Sequence, residues 1–185
     1  MHRLITVAIS MTVVVLPTVA VTAPAVASAA VANPAVCSTH WGTNAKHSGS
    51  IFPVSTPILG ARAGRHACYD RLVIDLGRGP RPGFSVRYVA RIIADPSGRV
   101  LSLRGAGKLL IVVRGAAGRG YRPLAANLVN VSGFAVFRQV RGAGSDENVT
   151  SIGLGVRARL AFRVFILAGP GRRSRLIVDV AHPQS

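Results

Sequence analysis

Acidic residues are scarce in this chain. Six Asp and Glu stand against 23 Lys and Arg in 185 residues, a formal net charge of +17 at pH 7. Glu147 is the sole glutamate, and Lys46 and Lys108 are the sole lysines, so the positive charge is almost all arginine. GC-rich codon usage accounts for Arg over Lys and for the wealth of Ala, Gly and Val. It does not account for the shortage of carboxylates. That shortage excludes most chemistry that needs paired acids. No His-Glu-x-x-His helix and no Gly-x-Ser-x-Gly elbow occurs. Gly115-Ala116-Ala117-Gly118-Arg119-Gly120 lacks the Lys-Ser/Thr of a phosphate loop and reads as a hairpin turn. A zinc amidase needs three ligands and an acid/base residue, a set that His40, His47, His66 and His182 do not offer by spacing. No catalysis and no cofactor are expected.

Long apolar runs are missing too, except at the start. Met1-His2-Arg3 is a basic opening, residues 4–16 are apolar, and small residues follow with Ala-x-Ala exits ending at Ala27 and Ala32. This pattern predicts a secretory signal peptide over 1–32, a mature chain without a membrane span, and a secreted or cell-envelope location. Pro34-Ala35-Val36 lacks the small residue that lipoprotein cleavage needs directly before Cys37. Cysteine is rare as well. Cys37 and Cys68 are the only two, and in an exported chain an even pair predicts a disulfide. It would close a loop of about 32 residues, worth about 3.5–4 kcal/mol in the chain-entropy model. The competing arrangement is a zinc site from Cys37-x-x-His40 and His66-x-Cys68, whose second half-spacing is shorter than usual.

Sustained helical periodicity is absent; strand alternation is everywhere. Arg71-Leu72-Val73-Ile74-Asp75-Leu76 returns as Arg175-Leu176-Ile177-Val178-Asp179-Val180. By the period of two, Leu72, Ile74, Leu76, Leu176, Val178 and Val180 take one face, and the Arg and Asp of each phrase take the other. The doubled phrase suggests two related halves, each holding one copy. Asp75 and Asp179 read as structural partners of arginine across strands. Strands are predicted at 58–64, 70–76, 84–93, 109–114, 134–141, 151–157, 161–167 and 174–181, with one possible helical turn over 124–129. Gly/Pro turns separate them, such as Gly77–Gly83, Asp95-Pro96-Ser97-Gly98 and Gly169-Pro170-Gly171. The fold class is all-β: a two-sheet β-sandwich with two related halves and an irregular, disulfide-pinned lead-in. The division is 1–32 signal, 33–183 a single domain, 184–185 a tail. Asn130-Val131-Ser132 and Asn148-Val149-Thr150 match the glycosylation sequon by chance.

Several segments carry a family resemblance: Arg65 through Leu76 (RHACYDRLVIDL), Pro82-Gly83-Phe84-Ser85-Val86-Arg87-Tyr88-Val89, Val131-Ser132-Gly133-Phe134, Ile152 through Arg159 (IGLGVRAR), and Leu176-Ile177-Val178-Asp179-Val180-Ala181-His182. In order and spacing the chain resembles the AMIN-like domain family over residues 37–182. That family occurs in exported proteins and lipoproteins of high-GC Gram-positive bacteria. It is similar to the AMIN domain that precedes the catalytic part of cell-wall amidases. The resemblance implies a β-sandwich that localises to peptidoglycan. Two positions depart from the family pattern: Ala161 stands where Pro often precedes the Phe-Arg-Val phrase, and Ala67 where an acidic residue often precedes the second Cys.

Arginine at strand spacing supplies the candidate ligand surface. Arg157, Arg159 and Arg163 share one predicted face, with Leu160, Phe162 and Val164 opposite; Arg87 and Arg91 share another. Guanidinium grips carboxylates and phosphates through paired hydrogen bonds. The expected function is a non-catalytic, secreted cell-envelope module that binds peptidoglycan or anionic wall glycopolymers through these arginines. The alternative is a protein-interaction module that recruits or regulates a cell-wall hydrolase. Export makes nucleic acid an unexpected partner.

Overall fold

Alternating apolar and polar residues become strands over most of the described chain, with a strand-free stretch at 118–136. A computed structural model describes Cys37 and residues 40–183; the expected signal at 1–32, both of its exits and the tail at 184–185 lie outside the described residues. The strands are β1 (Lys46–Ser48), β2 (Val54–Arg65), β3 (Tyr69–Leu76), β4 (Phe84–Tyr88), β5 (Ile92–Ile93), β6 (Val100–Leu101), β7 (Gly107–Val113), β8 (Gly115–Ala117), β9 (Phe137–Asp146), β10 (Val149–Val156), β11 (Phe162–Ala168) and β12 (Ser174–Ala181). One 3-10 turn at Pro170–Arg172 interrupts them. The first sheet runs β1-β4-β7-β10-β9, the second β11-β12-β3-β2-β8, and β5-β6 form a small hairpin. The expected all-β, two-sheet class is what the chain adopts.

Both sheets turn a branched apolar face inward. β7 alternates strictly, burying Leu109, Ile111 and Val113, and these join Leu72, Ile74, Leu76, Leu176, Val178 and Val180 in one core. The doubled phrase meets its burial expectation in full. Its placement differs, however, from one copy in each half of the sandwich. β3 and β12 are antiparallel neighbours in the same sheet, with Arg71 opposite Asp179 and Asp75 opposite Arg175. The physical reason lies in the phrase itself: an Arg-x-x-x-Asp strand laid antiparallel on its own copy sets each Arg opposite the other's Asp.

The first sheet is packed on its outer face as well. There Ile92, Ala94, Leu101, Leu103 and Ala143 form a second, smaller cluster that includes Leu110. Close approach depends on glycine in β10. Ile152, Leu154 and Val156 point to the core, while Gly153 and Gly155 meet the covering segment; a Cβ on Gly155 would lie 1.8 Å from the Arg104 carbonyl oxygen.

Several local expectations change. The strand predicted over 84–93 is two, β4 and β5, with a bend at Ala90 and Arg91. Ile92 keeps its place in the alternation but serves the outer cluster, because the chain folds over the sheet there. The segment read as a hairpin turn begins as β8, parallel to β2, with Val54 opposite Gly115 and Ile58 opposite Ala117. Residues 124–129 form no helical turn. They cross β9, where Leu128 N–H donates to the Val140 carbonyl and the Gln139 side-chain amide donates to the Ala126 carbonyl.

Candidate ligand-binding surface

The predicted disulfide is formed between Cys37 and Cys68, which excludes a thiolate zinc site at those residues. It ties the lead-in to the residue that precedes β3. Phe162 N–H also donates to the Gly42 carbonyl at 3.0 Å, pinning the same segment to the start of β11. Between these two anchors lies Trp41. The lone tryptophan of the chain is thereby held over the outer face of the second sheet.

That face carries the other half of the doubled phrase. Asp179 is flanked by Arg71 on β3 and Arg163 on β11 in register. Arg71 donates from Nε and Nη2 to the two carboxylate oxygens at 2.7 and 2.9 Å, and Arg163 donates from Nε at 2.8 Å. The Asp179 side chain is 0% exposed, against 22% for Arg71 and 39% for Arg163. The hydrogen bond to Asp179 raises the Arg71 pKa above the usual arginine value, with burial opposing.

Aromatic rings frame the pair of guanidiniums. The Arg163 guanidinium lies 4.3 Å from the Trp41 ring centre, 5.4 Å from Tyr69 and 5.2 Å from Phe165. Arg71 lies 5.2 Å from Tyr69 and 5.7 Å from Phe165. Such contacts are each worth about 0.5–2 kcal/mol and fix the plane of the cation. Arg163 is therefore held twice, at Nε by a buried carboxylate and on its face by an indole. Its two Nη groups make no hydrogen bond among the described residues. Farther along the same sheet, Gly60, Arg62, Asp75, Arg173 and Arg175 line a groove of about 430 Å³. Arg62 grips Asp75 at 3.0 and 3.2 Å, so Asp75 finds its arginine on β2 and not on the facing β12.

The five arginines singled out by spacing do not come together. Arg163 is in the aromatic layer just described. Arg157 and Arg159 lie exposed in the connection between β10 and β11, with Arg159 over the Tyr88 ring at 5.0 Å. Arg87 is exposed on β4 of the first sheet and Arg91 at the bend that follows. Arg157, Arg159 and Arg163 do not share one strand face, because β10 ends at Val156 and β11 starts at Phe162. Spacing alone missed Arg71, Tyr69, Trp41 and Phe165. A usable signal existed: a lone Trp four residues after one half-cystine, and a Tyr directly after the other.

Asp70, Asp95 and His182 make hydrogen bonds within the fold. Asp70, fully buried, accepts from the N–H groups of Val136 and Phe137 at 2.7 and 3.1 Å and faces His182 Nε2 at 3.2 Å. Asp95 accepts from the Ser151 hydroxyl at 2.6 Å. Among the described residues, no group of three His, Cys, Asp or Glu could hold a metal ion. No helix among them is long and apolar enough to cross a membrane.

Comparison with curated proteins gives no match. A family model, the AMIN-like domain, matches residues 56–182, from within β2 to just past β12. The matched span takes in the doubled phrase, its Asp179 centre and Cys68, but not Trp41. On that match, which covers well over half of the sequence, the chain belongs to the AMIN-like domain family, whose members are generally non-catalytic and which places it in a cell-wall context.

Proposed function

We propose that this is a secreted, non-catalytic module of the cell envelope, made by residues 33–183 after a signal at 1–32. It binds an anionic wall polymer, peptidoglycan or an associated glycopolymer, on the outer face of the second sheet. The observation that carries this is Arg163: a guanidinium fixed by Asp179 and Trp41, with Nη groups that make no hydrogen bond among the described residues. An anchored guanidinium loses little freedom when it takes a carboxylate or phosphate, and the neighbouring rings offer flat apolar surface to a sugar. The groove with Arg62, Arg173 and Arg175 extends the same face, so a polymer longer than one sugar meets further cations. The net charge adds long-range attraction.

Co-sedimentation with isolated bacterial walls tests this. The purified protein should pellet with walls and be released by about 1 M salt, which shortens screening to about 3 Å. Trp41→Ala and Arg163→Gln should each weaken pelleting. Walls stripped of anionic glycopolymers separate the two ligands: lost binding assigns the glycopolymer, retained binding assigns peptidoglycan. If Arg87→Glu with Arg91→Glu, or Arg157→Glu with Arg159→Glu, abolishes pelleting while Trp41→Ala leaves it intact, the binding face is not this one.

A further inference from the structure

Among the described residues, the sandwich leaves one long strand edge without a strand partner. β11 pairs with β12 on one side only, in a regular ladder with no register shift. The other edges are short or covered: β1 and β8 have three residues each, and β9 is crossed by the 128–129 segment. Exposed edges are normally blunted by proline, a bulge or inward charge. β11 has none of these in Phe162-Arg163-Val164-Phe165-Ile166-Leu167-Ala168.

The direction of its backbone groups follows from the ladder. Ala181 N–H donates to the Ala161 carbonyl, while Phe162 N–H points away from β12 and donates to the Gly42 carbonyl. In an antiparallel pair the direction alternates residue by residue. Val164 and Ile166 thus present N–H and C=O outward, where Gly42 has already taken the first position. They face a groove of about 520 Å³ between β11 and β1, lined also by Lys46, His47, Arg81 and Phe84 and by no carboxylate.

We infer that this groove accepts an extended acidic segment of a partner protein, which adds to β11 as a further strand. The main chain would pair with Val164 and Ile166, and alternate carboxylates would meet Lys46 and Arg81. Strand addition takes its affinity from such backbone bonds and its specificity from the flanking side chains. The groove follows the edge of β11 and shares only Phe165 with the aromatic layer around Asp179, so a peptide test that spares Phe165, Trp41 and Arg163 reads partner binding apart from wall binding.

The test uses the purified protein and a fluorescein-labelled heptapeptide of alternating Glu and Val, read by anisotropy at low salt. The Glu peptide should bind, and its counterpart with Lys for Glu should not. Val164→Pro removes an outward N–H without touching the ladder to β12, and it should weaken binding tenfold or more, as should Arg81→Glu. Should Val164→Pro fail to fold, two peptides N-methylated at alternate amides probe the same bonds from the other side: one should bind and the other should not. Equal binding of both methylated peptides, equal binding of the Lys peptide, or unchanged affinity in a folded Val164→Pro variant would overturn the inference. So would no peptide binding together with self-association that Val164→Pro abolishes, which would assign the edge to a second copy of the chain.

Discussion

Asp179 shows how much one carboxylate can organise. Fully buried charge is tolerated only when paired, and two arginines in register meet that need. Removing one partner leaves the charge under-compensated, which costs about 3–5 kcal/mol in buried pairs. Arg71→Ala should therefore lower stability by about 3 kcal/mol in urea unfolding. Arg62→Ala, which breaks the pair with Asp75 where the side chains are 55% and 35% exposed, should cost no more than about 1 kcal/mol. Tyrosines set the alkaline limit. Burial raises the pKa of Tyr88 above the usual tyrosine value, against the opposing effects of the Leu160 N–H that donates to its oxygen and of Arg159. Burial raises Tyr121 further. A raised folded-state pKa means that the native chain holds its proton more tightly. The associated stability is present below the unfolded value of about 10 and is lost as pH climbs through the folded one. The Tyr121 hydroxyl is buried without a partner among the described residues. Tyr121→Phe should thus gain about 1 kcal/mol at neutral pH and reduce the loss above pH 10, both measurable by denaturant melts across pH.

At the level of elements, the glycines of β10 do as much as its aliphatics. Gly155→Ala should displace the 102–105 segment or unseat β10, at a cost of about 1–3 kcal/mol from overpacking. Thermal melts check this, with Gly98→Ala as a poor comparator because its φ is +68° and Gly60→Ala as a better one, since nothing lies near its Cβ position. This function of glycine was hidden in the sequence. Ile152-Gly153-Leu154-Gly155-Val156 announces a strand, and it is one, but the pattern does not say that a second layer rests on the glycine side. Strands with strong branched alternation were legible to within a few residues: 174–181 coincides with β12, and 70–76 differs from β3 by one residue. β1, β6 and β8 were not, because two or three residues carry no period and exist only through their neighbours. The candidate surface was legible only at Arg163. Its partners come from β3, β12 and the disulfide-tied lead-in, and that convergence is a property of the register.

For the molecule as a whole, the disulfide is the tie between stability and the proposed site. Its sequence separation is 31 residues, so reduction should cost about 3.5 kcal/mol and lower the melting temperature by several degrees. It should also release Trp41 from Arg163, which a blue-to-red shift in tryptophan emission would report, since the chain has one Trp. Unchanged emission in reduced but folded protein would mean that the Gly42–Phe162 hydrogen bond alone suffices to seat the ring. The self-matching phrase has a last consequence, in the order of synthesis. Arg71 waits 108 residues for Asp179, and in that interval a nascent chain exposes a strand that is its own best complement. Two growing chains could lay β3 against β3 in the same Arg-to-Asp register that β12 later occupies. The C-terminal copy thus completes the sheet and also withdraws a template for pairing between chains, so a ribosome stalled before residue 174 should yield dimers and aggregates where the finished chain does not.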